Sequence, residues 1–203
     1  MAEARRRLIV GISGASGIVY GIRLLEVLRK TGIESHLVMS KAAEVTLAYE
    51  MNMKASAVRG LADYVHGISD IGAAISSGSF RTEGMIVAPC SVRSVAEIAS
   101  GVTTSLLTRA ADVVLKERRR LVLLVRETPL HVGHLRSMLQ ASEIGAIVMP
   151  PVPAFYARPK SIDDIVDHTI GRALDLFGIQ TTLVRRWGEE EGSGRAPRKR
   201  SRR

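Results

Sequence analysis

Four short stretches place chemically able side chains directly after apolar runs: Gly14-Ala15-Ser16, Ser91-Val92-Arg93-Ser94, Arg126-Glu127, and a proline-rich segment that reaches Tyr156. Their residue types suit anion binding. Glycines let the backbone approach a ligand closely, and free amides at a helix start favour negative charge. Gly14 to Ser16 therefore reads as a phosphate cradle, with a tight turn that binds nothing as the alternative. The glycines fall at 11, 14 and 17, so neither the G-x-G-x-x-G nor the G-K-[ST] fingerprint applies. Ser91 offers a second anion site, or a plain N-cap, beside Arg93. Arg126 sits where a core strand ends. An arginine there must pair or bind an anion, because burying it alone is costly, and Glu127 is the nearest pairing partner.

Other reactive types read as structural. Cys90 has no companion histidine identifiable in the sequence and is expected to be a small buried hydrophobe. His131 and His134 have the spacing of a ligand pair, but no third ligand is evident, so no metal is expected. Asp163-Asp164-Ile165-Val166-Asp167 matches D-D-x-x-D literally. Ser161 can cap that helix, and carboxylates in a first turn complement the positive helix end. A second acidic cluster is lacking.

The elements that must position these residues alternate. Apolar runs at 8–12, 33–39, 85–88, 121–125 and 146–149 read as strands, with a short strand at 64–66. Helical spacing follows from Ile18, from Ser40 as N-cap to about 52, from about Val95, over 105–117, over about 132–142, and from Ser161 to Phe177. Residues 53–70 are less regular, and the Gly/Ser-rich stretch 71–79 reads as a loop or lid. The fold class expected is α/β: three layers, doubly wound, with a mostly parallel Rossmann-like sheet. Right-handed crossovers would gather all four chemical turns on one sheet edge, the edge where such sheets bind ligands. An anionic, phosphorylated ligand is expected there.

The 203 residues are 46% apolar, enough for one domain with a sizeable core. No apolar run approaches membrane-spanning length, and the early run stops at Gly11 without a signal-peptide pattern. One cysteine excludes an intrachain disulfide and makes the cytoplasm the default location. Net charge is +9, of which residues 189–203 contribute +3 through three Glu and six Lys or Arg. That tail is expected to be disordered and solubilising, leaving residues 1–188 as the folded domain. With aromatics at only 4%, a nucleic-acid interface is not expected.

Six stretches together resemble the UbiX (UbiX/Pad) flavin prenyltransferase family: 11–17, 36–43, 88–91, 115–119, 126–130 and 185–188. The resemblance covers about residues 7 to 188. It implies that reduced FMN is alkylated by dimethylallyl monophosphate at N5, with ring closure at C6, without metal. The prenylated FMN would pass to a UbiD-type decarboxylase. By matching position, Gly14, Ala15, Ser16, Ser40, Ser91, Val92, Arg93, Ser94 and Arg126 would hold FMN. Lys116, Tyr156 and Arg172 would hold the prenyl phosphate, and Trp187 would wall the prenyl pocket. Glu50 and Glu127 resemble the family's acid/base carboxylates, with Ser16 beside the reacting groups. The family also implies a homo-dodecamer. Lys116 lies far along the chain from Tyr156 and is expected from a neighbouring subunit.

Overall fold

The structure, a computed structural model, describes residues 6–184. The chain divides into two compact units, residues 1–151 and 152–203.

The first unit is built on a parallel sheet. Its strands are β1 (Arg7–Ile12), β2 (Glu34–Met39), β3 (Tyr64–His66), β4 (Gly84–Cys90), β5 (Arg120–Val125) and β6 (Ala146–Val148), in the order β3-β2-β1-β4-β5-β6. All five strand pairings are parallel. β1, β2, β4 and β5 are almost wholly buried, as expected where helices cover both faces. The connections are helices α1 (Ile18–Leu28), α2 (Lys41–Glu50), α3 (Ala55–Arg59), α4 (Val92–Ala99), α5 (Leu106–Lys116) and α6 (Val132–Glu143). The strand order reverses between β1 and β4, so a crevice opens at their carboxyl ends.

Caps fix where several helices begin. The Ser40 side chain accepts from the Ala43 amide and opens α2. Ser91 accepts from the Ser94 amide and opens α4 at Val92, three residues before periodicity alone predicts. Ser105 and Thr108 cap each other's amides at α5.

Residues 71–79 form a loop, one of the two readings the sequence offers. They belong to the β3–β4 connection and include a short 3₁₀ turn, Ala74–Ser76, whose Ile75 is buried. The Arg119 guanidinium donates to the carbonyls of Phe80 and Gly78, fastening this segment where β5 begins.

The second unit holds a 3₁₀ turn, Phe155–Ala157, and helix α7 (Ile162–Asp175). Ser161 and Asp164 form a capping box, and the Asp164 carboxylate accepts from the Lys160 and Ser161 amides. The first-turn acidic residues thus serve the helix end, as read from the sequence.

Candidate active site

At the reversal point, the turns after β1 and β4 are tied together. The buried Ser13 hydroxyl donates to the Pro89 carbonyl at 3.0 Å and accepts from the Ser91 amide at 2.7 Å. The Ser40 amide donates to the Ile12 carbonyl, and the Arg126 amide to that of Cys90. Strand-end turns from β1, β2, β4 and β5 are therefore locked in one array.

A cavity of about 500 Å³ opens there. Gly14, Ser40, Ser91 and Arg93 line it, four of the residues expected to hold FMN. Lys41, Ser69, Thr104 and Ser105 join them. The capped starts of α2, α4 and α5 all face this space through Ser40, Ser91 and Ser105. Glu97 also lines the space, paired with Arg93, so three helix starts and the charge of Lys41, unpaired among the described residues, make the seat for a phosphate ester. Gly14 is required where it stands: a Cβ there would lie 2.4 Å from the Ala42 Cβ in the first turn of α2. The Arg93 guanidinium pairs with Glu97 at 2.8 Å. Ser94 stays within the cluster, its hydroxyl 3.1 Å from that of Ser91.

The turn leading into α1 has a different occupant from the one its glycines suggest. Gly17 takes a left-handed conformation (φ 98) and turns its amide and that of Ile18 onto the Glu50 carboxylate, at 2.9 to 3.0 Å. The protein's own carboxylate thus fills the helix start. Desolvation pushes the Glu50 carboxyl up. The Ser16 hydroxyl, the two amides and the Arg126 charge outweigh it and hold the group below the ordinary carboxylate range. Glu50 is therefore ionised at neutral pH. Ser16, Glu50 and Arg126 form one cluster, and Tyr20 belongs to it, since the Arg126 charge also acts on its phenol. Ala15 is buried within this turn. Glu127 is exposed, its carboxylate accepting from the Thr128 amide at 3.0 Å rather than pairing with Arg126.

Lys116 stands apart. It ends α5, whose N-cap Ser105 lines the cavity, and eleven helical residues span about 16 Å. Its ammonium pairs with Glu117, close to Gly78. A chain's own Lys116 thus lies toward the opposite sheet edge from its own cavity.

In the second unit, Tyr156 and Arg172 are linked through His168. The Tyr156 hydroxyl lies 3.3 Å from His168 Nε2, and Arg172 follows His168 by one turn of α7. Trp187 lies outside the described residues, as does the 189–203 tail.

Cys90 is fully buried, and burial pushes its thiol far up, so it is the inert small hydrophobe expected. Among the described residues, no group of three or more His, Cys, Asp or Glu side chains could hold a metal ion. None of the described helices is long and apolar enough to cross a membrane.

A doubly wound sheet with a phosphate seat at its reversal point defines a mononucleotide-binding α/β protein, and the Flavoprotein family model matches residues 2–174. The flavin prenyltransferase UbiX of Escherichia coli K12 is 60% identical over 185 residues, covering 90% of this chain and 98% of that protein. A crystal structure of AnUbiX (PadA1) with FMN and dimethylallyl pyrophosphate superposes with a TM-score of 0.90 at 53% identity, covering 92% of this chain and all of that one. A dodecameric, FMN-dependent UbiX-like protein from E. coli O157:H7, described as a decarboxylase, matches with a TM-score of 0.87 at 50% identity, over 89% and 98% of the two chains. The chain belongs to the UbiX flavin prenyltransferases of the flavoprotein family.

Proposed function

We propose that this chain transfers the dimethylallyl group of dimethylallyl monophosphate to N5 and C6 of reduced FMN, releasing phosphate and prenylated FMN. The observation that carries the reading is the cavity at the β1–β4 reversal. It joins three capped helix starts to Lys41 and Arg93, next to the Ser16–Glu50–Arg126 cluster.

Bound reduced flavin supplies the electron-rich N5 and C6 that accept the prenyl carbons. The protein supplies everything else. Ser40, Ser91 and Ser105, with the amides behind them, hold the phosphate ester of FMN. Arg172 and the Tyr156 phenol, with Lys116 of a neighbouring subunit, balance the charge of the departing monophosphate. Ser16 and the ionised Glu50 fix the turn against which the reacting groups lie. The N5 proton leaves with the released phosphate; ring closure then adds a proton to prenyl C2 and removes one from C6, and Glu127, exposed beside Arg126, takes the C6 proton. Trp187 excludes water from the allyl cation.

Lys116 serves the cavity of a neighbouring subunit, because its own lies about 16 Å away along α5. A closed homo-oligomer, a dodecamer like the E. coli O157:H7 relative, provides that neighbour. The product passes to a UbiD-type decarboxylase. The cytoplasm is the place of work that an unpaired, buried Cys90 suits.

The test is anaerobic incubation with chemically reduced FMN and dimethylallyl monophosphate, followed by mass analysis of the flavin. A flavin heavier by one dimethylallyl group is expected. An unchanged flavin mass would exclude the activity.

A further inference from the structure

The buried titratable side chain that the reaction scheme leaves unused is His36, on β2 and 3% exposed. Both of its ring nitrogens are engaged. Nε2 lies 3.0 Å from the Glu34 carboxylate, and Nδ1 lies 3.0 Å from Nε2 of His66 on β3. The two imidazoles are within 12° of parallel with centroids 5.3 Å apart, so they meet edge to edge and the bond runs near both ring planes. Tyr64 stacks on His36 at 4.8 Å, and Phe80 meets it edge to face at 5.1 Å. Arg7 on β1 pairs with the same Glu34 oxygen at 2.7 Å. Desolvation pushes the Glu34 carboxyl up, but the bonds from His36 and Arg7 outweigh it and hold the group below the ordinary carboxylate range. An ionised carboxylate only accepts, so His36 Nε2 carries the proton of that bond.

β3 is a three-residue strand at the sheet edge, paired to β2 from Tyr64 opposite His36 to His66 opposite Val38. The chain leaving it supplies Ile68 and Ser69 to the cavity at the β1–β4 reversal. The Ile68 carbonyl accepts from the Leu106 amide at 2.9 Å, just past the Ser105 cap of α5. The segment is thus fastened twice, to β2 at His66 and to α5 at Ile68. We propose that His66, through its bond to His36, is a positioning residue that holds Ile68 and Ser69 against the FMN phosphate. The inference rests on the reading of that cavity as the phosphate seat. One proton between Nδ1 and Nε2 makes the bond in either direction, donated by His66 to a neutral His36 or by a charged His36 to a neutral His66. Two protons leave no acceptor and set two cations against each other. Besides Glu34 and Arg7, the charged groups facing the pair are Asp63 and Asp70, with Lys41, Glu44 and Arg59 along the groove that His66 lines. Burial and the His36 charge push the His66 pKa down, against the weaker pull of Asp70. His66 is therefore neutral at physiological pH. The bond is whole above the ordinary histidine value and is lost as pH falls through the lowered one.

The experiment uses the full-length protein loaded with FMN. Release of flavin on dilution, followed by its fluorescence, gives Kd at pH 7.5 and pH 5.0 for the wild type, His66→Phe, His66→Gln and Ser91→Ala. At pH 7.5, His66→Phe fills the space without the bond and is expected to raise Kd by about 3- to 10-fold. His66→Gln donates to or accepts from His36 Nδ1 at similar reach and is expected to stay within about twofold of wild type. The FMN phosphate itself takes a proton at about pH 6, equally for every variant. The readout is therefore the ratio of wild type to His66→Gln. Between the two pH values, wild type is expected to lose about 3- to 10-fold more affinity than His66→Gln, which has nothing at this position to titrate. A packing role alone would change Kd without moving that ratio. Unchanged Kd in His66→Phe, a Gln variant as weak as the Phe variant at pH 7.5, or parallel acid losses in wild type and His66→Gln would each overturn the proposal. Ser91→Ala tests the seat separately. Unchanged affinity there takes the phosphate out of the cavity and the proposal with it, whereas weaker binding beside an unaffected His66→Phe removes only the role of His66.

Discussion

Glu50 illustrates how an exposed carboxylate on α2 becomes a component of the site: it replaces an external anion at the start of α1. Its folded pKa is depressed, so its stabilising contribution is complete above the ordinary carboxylate value and is lost as pH falls through the lowered one. Glu50→Gln is therefore expected to lower Tm at pH 7, with the gap to wild type narrowing toward pH 4. Thermal melts of both proteins at the two pH values check this. Glu127 acts differently, since only its own backbone neighbour holds it. Glu127→Gln is expected to bind FMN normally and to lose roughly 100-fold or more in turnover. Single-turnover kinetics would register the loss, and full activity would remove Glu127 from the mechanism. Much of this residue set was readable in the sequence, because Gly14, Ser91 and Arg126 follow apolar runs. Ser13, Lys41, Ser105, Tyr20 and His168 were not. Ser13 matters only because β4 lies beside β1, and Ser105 only because α5 returns to the same edge. No local pattern carries either fact.

At the scale of elements, the site depends on turns that accept no extra volume. Gly14→Ala would press a methyl into the first turn of α2. About 1–3 kcal/mol of stability is expected to go with it, together with weaker flavin binding, as denaturant unfolding and fluorescence titration would measure. The strands were legible because strands buried on both faces read as unbroken apolar runs. α3 was not, since five residues are too few to show a helical period. The 71–79 stretch was legible as a loop from its small polar residues, but its anchor was not: what holds it is Arg119, a residue forty positions later in the chain.

For the whole molecule, the proposed delivery of Lys116 to a neighbouring subunit's cavity would make assembly part of the chemistry. Lys116→Ala and Glu127→Gln chains, each nearly inactive alone, are expected to regain activity when co-assembled. In a 1:1 mixture, about a quarter of all sites would combine a wild-type Lys116 with a wild-type Glu127 from different chains. No recovery on mixing would place both residues in one subunit. The account as a whole is tested most directly by a crystal structure of the assembled protein with FMN and dimethylallyl monophosphate. The expected result is the FMN phosphate among Ser40, Ser91 and Ser105, and the prenyl phosphate between Tyr156 and Arg172 of one subunit and Lys116 of the next. A flavin bound away from the β1–β4 reversal, or Lys116 distant from the prenyl phosphate in every subunit, would contradict it.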